Sequence, residues 1–226
     1  MSIIHPVQQG SEEWLKLRLG VPSASQAHRI ITPGGKRSTQ ADGYMYELIA
    51  ERLLHAPMGR DLSQNQFVQA GIVNEPLAAS QFEVLEGVKL ELAGWVTTDD
   101  GRMGCSPDRI IAGNRREAVE IKCPQPPNMM RYLLDGPGDD YRAQVQMQML
   151  VGDFEVVHFY AYHERMPAAH IVVKRDATYQ RSLGQYLREF CDKLDGETER
   201  AKRLGAYIPI EEVIAAYQPQ EEGPSS

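Results

Sequence analysis

Asp108, Glu120 and Lys122 set two acids and a base close together in the sequence. They lie in the stretch 105–124, CSPDRIIAGNRREAVEIKCP, which reads as two strands around a Gly113-Asn114 turn signal. Residues two apart on a strand share a face, so Glu120 and Lys122 project together while Val119 and Ile121 project to the other side. Whether Asp108 joins them depends on the loop. A two-residue Gly113-Asn114 loop sets Asp108 opposite Val119, on the wrong face, whereas a three-residue loop through Arg115 sets it opposite Glu120. In the second register the two acidic Cβ atoms lie about 5 Å apart, close enough for their carboxylates to clamp one hard cation. The Ile121 carbonyl is then an extra oxygen at the same level. Glu120 and Lys122 also fit a plain ion pair on a solvated strand face, and the pattern alone leaves both readings open.

The elements that must position these residues follow from periodicity. The first third reads as helical, with short helices over 11–19 and 25–31 and a longer one over 44–54. A further helix over 64–85 is expected to bend or split at Gly71 and Pro76. The period then falls towards two. Strands are expected over 88–97, 108–112, 117–122, 155–162 and 170–174, with a helix over 140–151 between the third and fourth and a long one over 177–204 after the fifth. The expected fold class is α/β (α+β, mixed sheet) with flanking helices at both ends, forming one domain over 1–217. Residues 32–43, TPGGKRSTQADG, are expected to be a mobile surface loop carrying Lys36 and Arg37, and the polar tail 218–226 is expected to be disordered.

Composition narrows the class. With 226 residues, 42% hydrophobic and 24% charged, the chain is long enough for a core of its own and is neither fibrous nor low-complexity. No apolar run approaches the roughly 18–20 residues that span a bilayer, and the first ten residues lack the pattern of a signal peptide, so a soluble cytoplasmic protein without a membrane partner is expected. Cys105, Cys123 and Cys191 are odd in number and widely spaced, which argues against a disulfide framework, a zinc site or an iron–sulfur site. Cys105 and Cys123 have no Cys-His logic and are expected to be small core residues; His28, His55, His158, His163 and His170 show no paired ligand spacing. The formal net charge of −7 repels a polyanion at long range, so any nucleic-acid binding must come from a local basic surface.

Five patches extend the motif outward: WLKLRLGVPSAS near the N-terminus, GIVNEPLA at 71–78, CSPD, VEIKCP, and YRAQVQ at 141–146. In this order they resemble the phage lambda exonuclease family (YqaJ-like viral recombination exonucleases) of the PD-(D/E)xK nuclease superfamily, over roughly residues 11–179. The resemblance implies a restriction-endonuclease-like core and a magnesium-dependent, processive 5′-to-3′ exonuclease on double-stranded DNA ends. Its product would be a 3′ overhang for a single-strand annealing protein, and its assembly a homotrimeric ring. It implies that Asp108, Glu120 and the Ile121 carbonyl hold magnesium, with two ions per site and manganese as a substitute. Lys122 would orient or activate the attacking water, Glu75 would reach the metal directly or through water, and Gln144 would stand near the nucleophile. Arg18, Ser25 and Ser106 match positions that hold a terminal 5′-phosphate, and Ser25 is expected at the start of a helix, where free N–H groups favour an anion. One departure is visible: a family arginine after E-x-K stands here as Asn128 within QPPNMMR, where Pro126 and Pro127 suggest a stiff loop and Arg131 is the candidate replacement. Lys36, Arg37 and Arg52 are the candidate channel residues of a ring. Two other readings remain, a structure-specific or restriction-type endonuclease and an inactive DNA-binding protein.

Overall fold

The computed structural model of the chain describes residues 2–58 and 66–204. The expected tail, 218–226, lies outside them. In chain order the elements are β1 (Ser2–His5), α1 (Glu12–Arg18), a 3-10 helix (Ala24–Arg29), α2 (Ala41–Leu54) and α3 (Gln66–Glu86). They continue with β2 (Leu90–Leu92), β3 (Trp95–Thr98), β4 (Gly104–Cys105), β5 (Arg109–Ile111) and β6 (Asn114–Lys122). Helices α4 (Pro126–Asp135) and α5 (Arg142–Gly152), strands β7 (Val156–Ala161) and β8 (Ala169–Lys174) and the long helix α6 (Ala177–Arg203) complete the set.

The strands form a five-stranded mixed sheet, ordered β2-β5-β6-β7-β8, and a three-stranded antiparallel sheet, ordered β1-β3-β4. Only the β6–β7 pair of the larger sheet is parallel, and helices α4 and α5 make the crossover it requires. Alternation along β6 and β7 divides the larger sheet into two faces. Val119, Ile121 and Tyr160 pack with Ala78 and Phe82 of α3, while Ala118 and Val157 belong to the main core with α5 and α6. Glu120 shares the second face and is thereby carried into the interior, 2% exposed.

Four expectations are corrected. The strand expected over 88–97 is two strands in different sheets, broken at Gly94, whose φ of +66° and close approach to the main chain favour glycine; a Cβ there would lie 2.3 Å from the His5 carbonyl oxygen. Helix α3 runs through Pro76 without splitting. Proline removes one donor, and the carbonyl it leaves belongs to Ile72, which is exposed to water. Pro126 and Pro127 do not stiffen a loop but open α4, at the first positions, where no helical donor is needed. The loop expected over 32–43 ends at 40, because Ala41 opens α2, and within it Ile31 bridges Arg37 while the Gly35 and Lys36 amides donate to the Thr32 carbonyl and hydroxyl. Strands β1 and β4 carry no alternation long enough to read, so the smaller sheet was not expected at all.

Candidate active site

The hairpin β5–β6 decides whether Asp108 faces Glu120. Arg109 pairs with Val119 and Ile110 with Ala118, and continuing by one residue sets Asp108 beside Glu120. This is the register that brings the acids together, but the three-residue loop through Arg115 does not deliver it. Ile111 pairs with Asn114, so the turn is Ala112-Gly113, with Gly113 at φ +76°, and a bulge between Ile110 and Ile111 takes up the extra residues of β6. Asp108 then closes the pair, its Oδ2 accepting the Ile121 amide at 2.6 Å. Along β6 the carbonyls of Arg116 and Lys122 face β7, so the backbone groups of Ile121 face the other edge, where Asp108 stands. The Ile121 carbonyl therefore leaves the strand on the Asp108 side.

Three donors converge on Glu120. Lys122 Nζ and Gln144 Nε2, the latter at 2.6 Å, donate to Oε1, and Gln148 Nε2 donates to Oε2 at 2.5 Å. The ring of Tyr141 lies 5.2 Å from Lys122 Nζ. Burial and then the charge of Glu120 push the Asp108 carboxyl well above the usual carboxylate range. Burial works against the Lys122 ammonium, but Glu120 and Asp108 outweigh it and hold its pKa above the ordinary lysine value. With a cation bound both acids would ionise, and their two charges against one ammonium would leave a negative charge for it to offset. The set is all oxygen, two carboxylates with a strand carbonyl beside them, which fits a hard divalent cation such as magnesium better than a soft metal. Among the described residues, no group of three or more His, Cys, Asp and Glu side chains gathers for a metal. Glu75 accounts for the missing third carboxylate: it lies in the field of Asp108 but is paired with Arg109 at 2.6 Å.

The carboxylates open into a pocket of about 210 Å³ whose lining includes Asp108, Glu120, Gln144, Arg18, Ser25 and Ser106. The guanidinium of Arg18 is stacked 4.0 Å from the Trp14 ring and 5.5 Å from the Trp95 ring. No carboxylate forms an ion pair with it among the described residues, and burial lowers its pKa against the weaker pull of Tyr44 and Glu51, so an incoming anion meets a cation without a direct partner. Ser106 Oγ accepts the Trp14 indole N–H at 2.9 Å. Ser25 is not the start of its helix: Ser23 occupies the cap, and Ser25 stands inside the first 3-10 turn, its hydroxyl 3.3 Å from that of Ser23.

The YqaJ-like viral recombinase domain matches this chain over residues 13–155, more than half its length and the segment that holds every one of these residues. The chain belongs to the YqaJ-like viral recombinase family. No curated protein matches it closely enough to add a relative. Among solved structures it resembles the alkaline exonuclease LHK-Exo of Laribacter hongkongensis, at 26% identity and a TM-score of 0.76 over 87% of this chain and 98% of that one. The same enzyme in complex with dAMP aligns with a TM-score of 0.76 and 27% identity over the same shares. A phage-related exonuclease from Haemophilus somnus 129PT shares the fold at 16% identity, with a TM-score of 0.60 over 78% of this chain and 96% of that one. The YqaJ-like chain thus has the PD-(D/E)xK fold of the lambda exonuclease group.

Several expected residues of this YqaJ-like protein stand elsewhere. Arg131 is held by Asp140 at 2.8 Å, and neither it nor Asn128 lines the pocket. Arg52 is taken up in structure, donating to the Gly20 carbonyl and pairing with Asp195, both at 2.8 Å. Cys105 is buried in the core, whereas Cys123 is only partly buried against the smaller core cluster, its thiol pushed up to about 11 by that burial and then by Glu75. Gln148, Trp14 and Gln9 line the pocket without having been singled out; for Gln148 the signal was its four-residue spacing from Gln144. His158 and His170 do meet, with ring nitrogens 2.9 Å apart, in a chain that runs from Glu86 to Glu117 on the sheet face away from Glu120. Their twelve-residue separation hides this, because the β7–β8 pairing brings them together.

Proposed function

We propose that the protein is a magnesium-dependent exonuclease that digests one strand of duplex DNA from its 5′ end and leaves a 3′ overhang for recombination. The observation that carries this reading is that the anion-accepting Arg18 and the acidic pair Asp108 and Glu120 line one pocket. A 5′-terminal phosphate held by Arg18, Ser25 and Ser106 places the neighbouring phosphodiester beside the carboxylates. Asp108, Glu120 and the Ile121 carbonyl would hold the metal, one ion or two, and a divalent ion there would supply a nucleophilic water and offset phosphate charge. Lys122 Nζ, pinned by Glu120, supplies a fixed positive charge for the attacking oxygen or the phosphate. Gln144 fixes the same carboxylate from α5. The dAMP complex of LHK-Exo supports the reading, since a nucleoside monophosphate is what stepwise digestion releases.

The activity is expected to be processive and the assembly a homotrimeric ring, which gathers basic residues around one channel although each chain is acidic. Lys36 and Arg37, both exposed, are the channel residues this reading retains. A single-strand annealing protein is the expected partner. The test is digestion of linear and covalently closed duplex DNA with magnesium, with manganese and with EDTA. Loss of linear DNA alone, only with a divalent ion, is the expected result. Cutting of the closed circle would favour a structure-specific or restriction-type endonuclease, and binding without cutting would favour an inactive DNA-binding protein.

A further inference from the structure

Helix α5 presents a second glutamine on the face of Gln144. Gln148 lies one turn further on, so both amides reach the same carboxylate. Their contacts differ. Gln144 and Lys122 share Glu120 Oε1, and Gln148 alone among these three holds Oε2, at 2.5 Å. Gln148 is 1% exposed, and its own Oε1 has no hydrogen-bond partner among the described residues. Buried amide oxygens are nearly always satisfied, so one left open in a polar pocket needs a reason. Rotating the amide would not relieve it, because the oxygen would then face the Glu120 carboxylate. The charge of Glu120 therefore fixes which end of the amide stays free, and the residue lines the pocket shared with Asp108, Ser106 and Arg18.

We infer that Gln148 is a positioning residue of this site: it sets the plane of the Glu120 carboxylate so that Glu120 and Asp108 face one cation, and its own amide oxygen is left as a hydrogen-bond acceptor. The inference rests on the metal-nuclease reading. A carboxylate held on one oxygen only can rotate, and its two oxygens then present no fixed edge to a metal. Donors that orient a metal ligand in this way change metal affinity by about 10- to 100-fold when removed. Glutamate at 148 would set a second anion against Glu120, so the site needs an amide and not merely a polar side chain of this length.

The test is manganese binding by isothermal titration to the DNA-free protein, with cleavage of linear duplex measured against metal concentration. Q148M keeps the length and bulk of the side chain and removes its donor. It should retain the melting temperature of the unaltered protein, bind manganese about 10- to 100-fold more weakly, and need correspondingly more metal for half-maximal cleavage. Q148N, which keeps the amide but falls short of Glu120, should show the same weakening and carries the test if Q148M does not fold. A variant that folds, binds manganese and cuts as the unaltered protein does would overturn the inference. If the unaltered protein neither binds the metal nor cuts, the metal-nuclease reading falls, and this role of Gln148 falls with it.

Discussion

At the scale of single residues, Glu120 organises the site, buried at 2% exposure under the donors of Lys122, Gln144 and Gln148. Asp108→Ala or Glu120→Ala should lower magnesium-dependent cleavage by about a thousandfold, the equivalent of the several kcal/mol that a bound cation contributes. Circular dichroism should show both variants folded, and substantial activity in either would remove the assignment. Lys122→Ala should be equally inactive yet still bind manganese; loss of metal binding would mean that its ammonium supports the ligands instead of the reaction. Arg18 answers to a different substrate property. Duplex with 5′-phosphate ends should be digested faster than duplex with 5′-hydroxyl ends, and Arg18→Ala should bring the two rates together. Equal rates in the unaltered protein would contradict the phosphate pocket. Much of this site was legible in the sequence because Glu120 and Lys122 are two apart on one strand and Gln144 sits in a recognisable patch. Gln148 was not singled out, because one polar residue on a helix looks like surface until its partner strand is known.

At the scale of elements, the acids depend on the register of one hairpin. Spacing alone offered two registers, and only the pairing of Arg109 with Val119 settles which is used. A bulge absorbs the mismatch between turn and ladder, and nothing in the residue types of 112–117 announces it. Long periodic elements such as α6 were legible, whereas β1 and β4, with four and two residues, were too short to carry a pattern. The division of 88–97 between two sheets turns on Gly94, the residue before β3. Gly94→Ala should destabilise the protein by about 1–3 kcal/mol through its left-handed backbone alone, and by more because its Cβ meets the His5 carbonyl. Urea denaturation would show this; an unchanged midpoint would mean that the two sheets are not joined through a tight approach at this residue.

At the scale of the whole molecule, the acidic balance and the proposed grip on DNA must be reconciled. A chain with a net charge of −7 gains little from long-range attraction, so binding would rest on the half-buried Arg18 and on a ring of three copies. Light scattering at micromolar concentration should report three times the 25.4 kDa chain mass. A monomer at that concentration, stopped at once by competitor DNA added after loading, would rule out the ring and leave the nuclease standing. No described helix is long and apolar enough to cross a membrane. If one pocket joins end recognition to cleavage, the products from a linear 5′-phosphorylated duplex labelled at both 3′ ends will show it. Mononucleotides released from the 5′ ends, with the 3′ labels kept on single strands of about half the original length, are the predicted result. Early release of the 3′ labels, or internal oligonucleotides from the first turnovers, would contradict it.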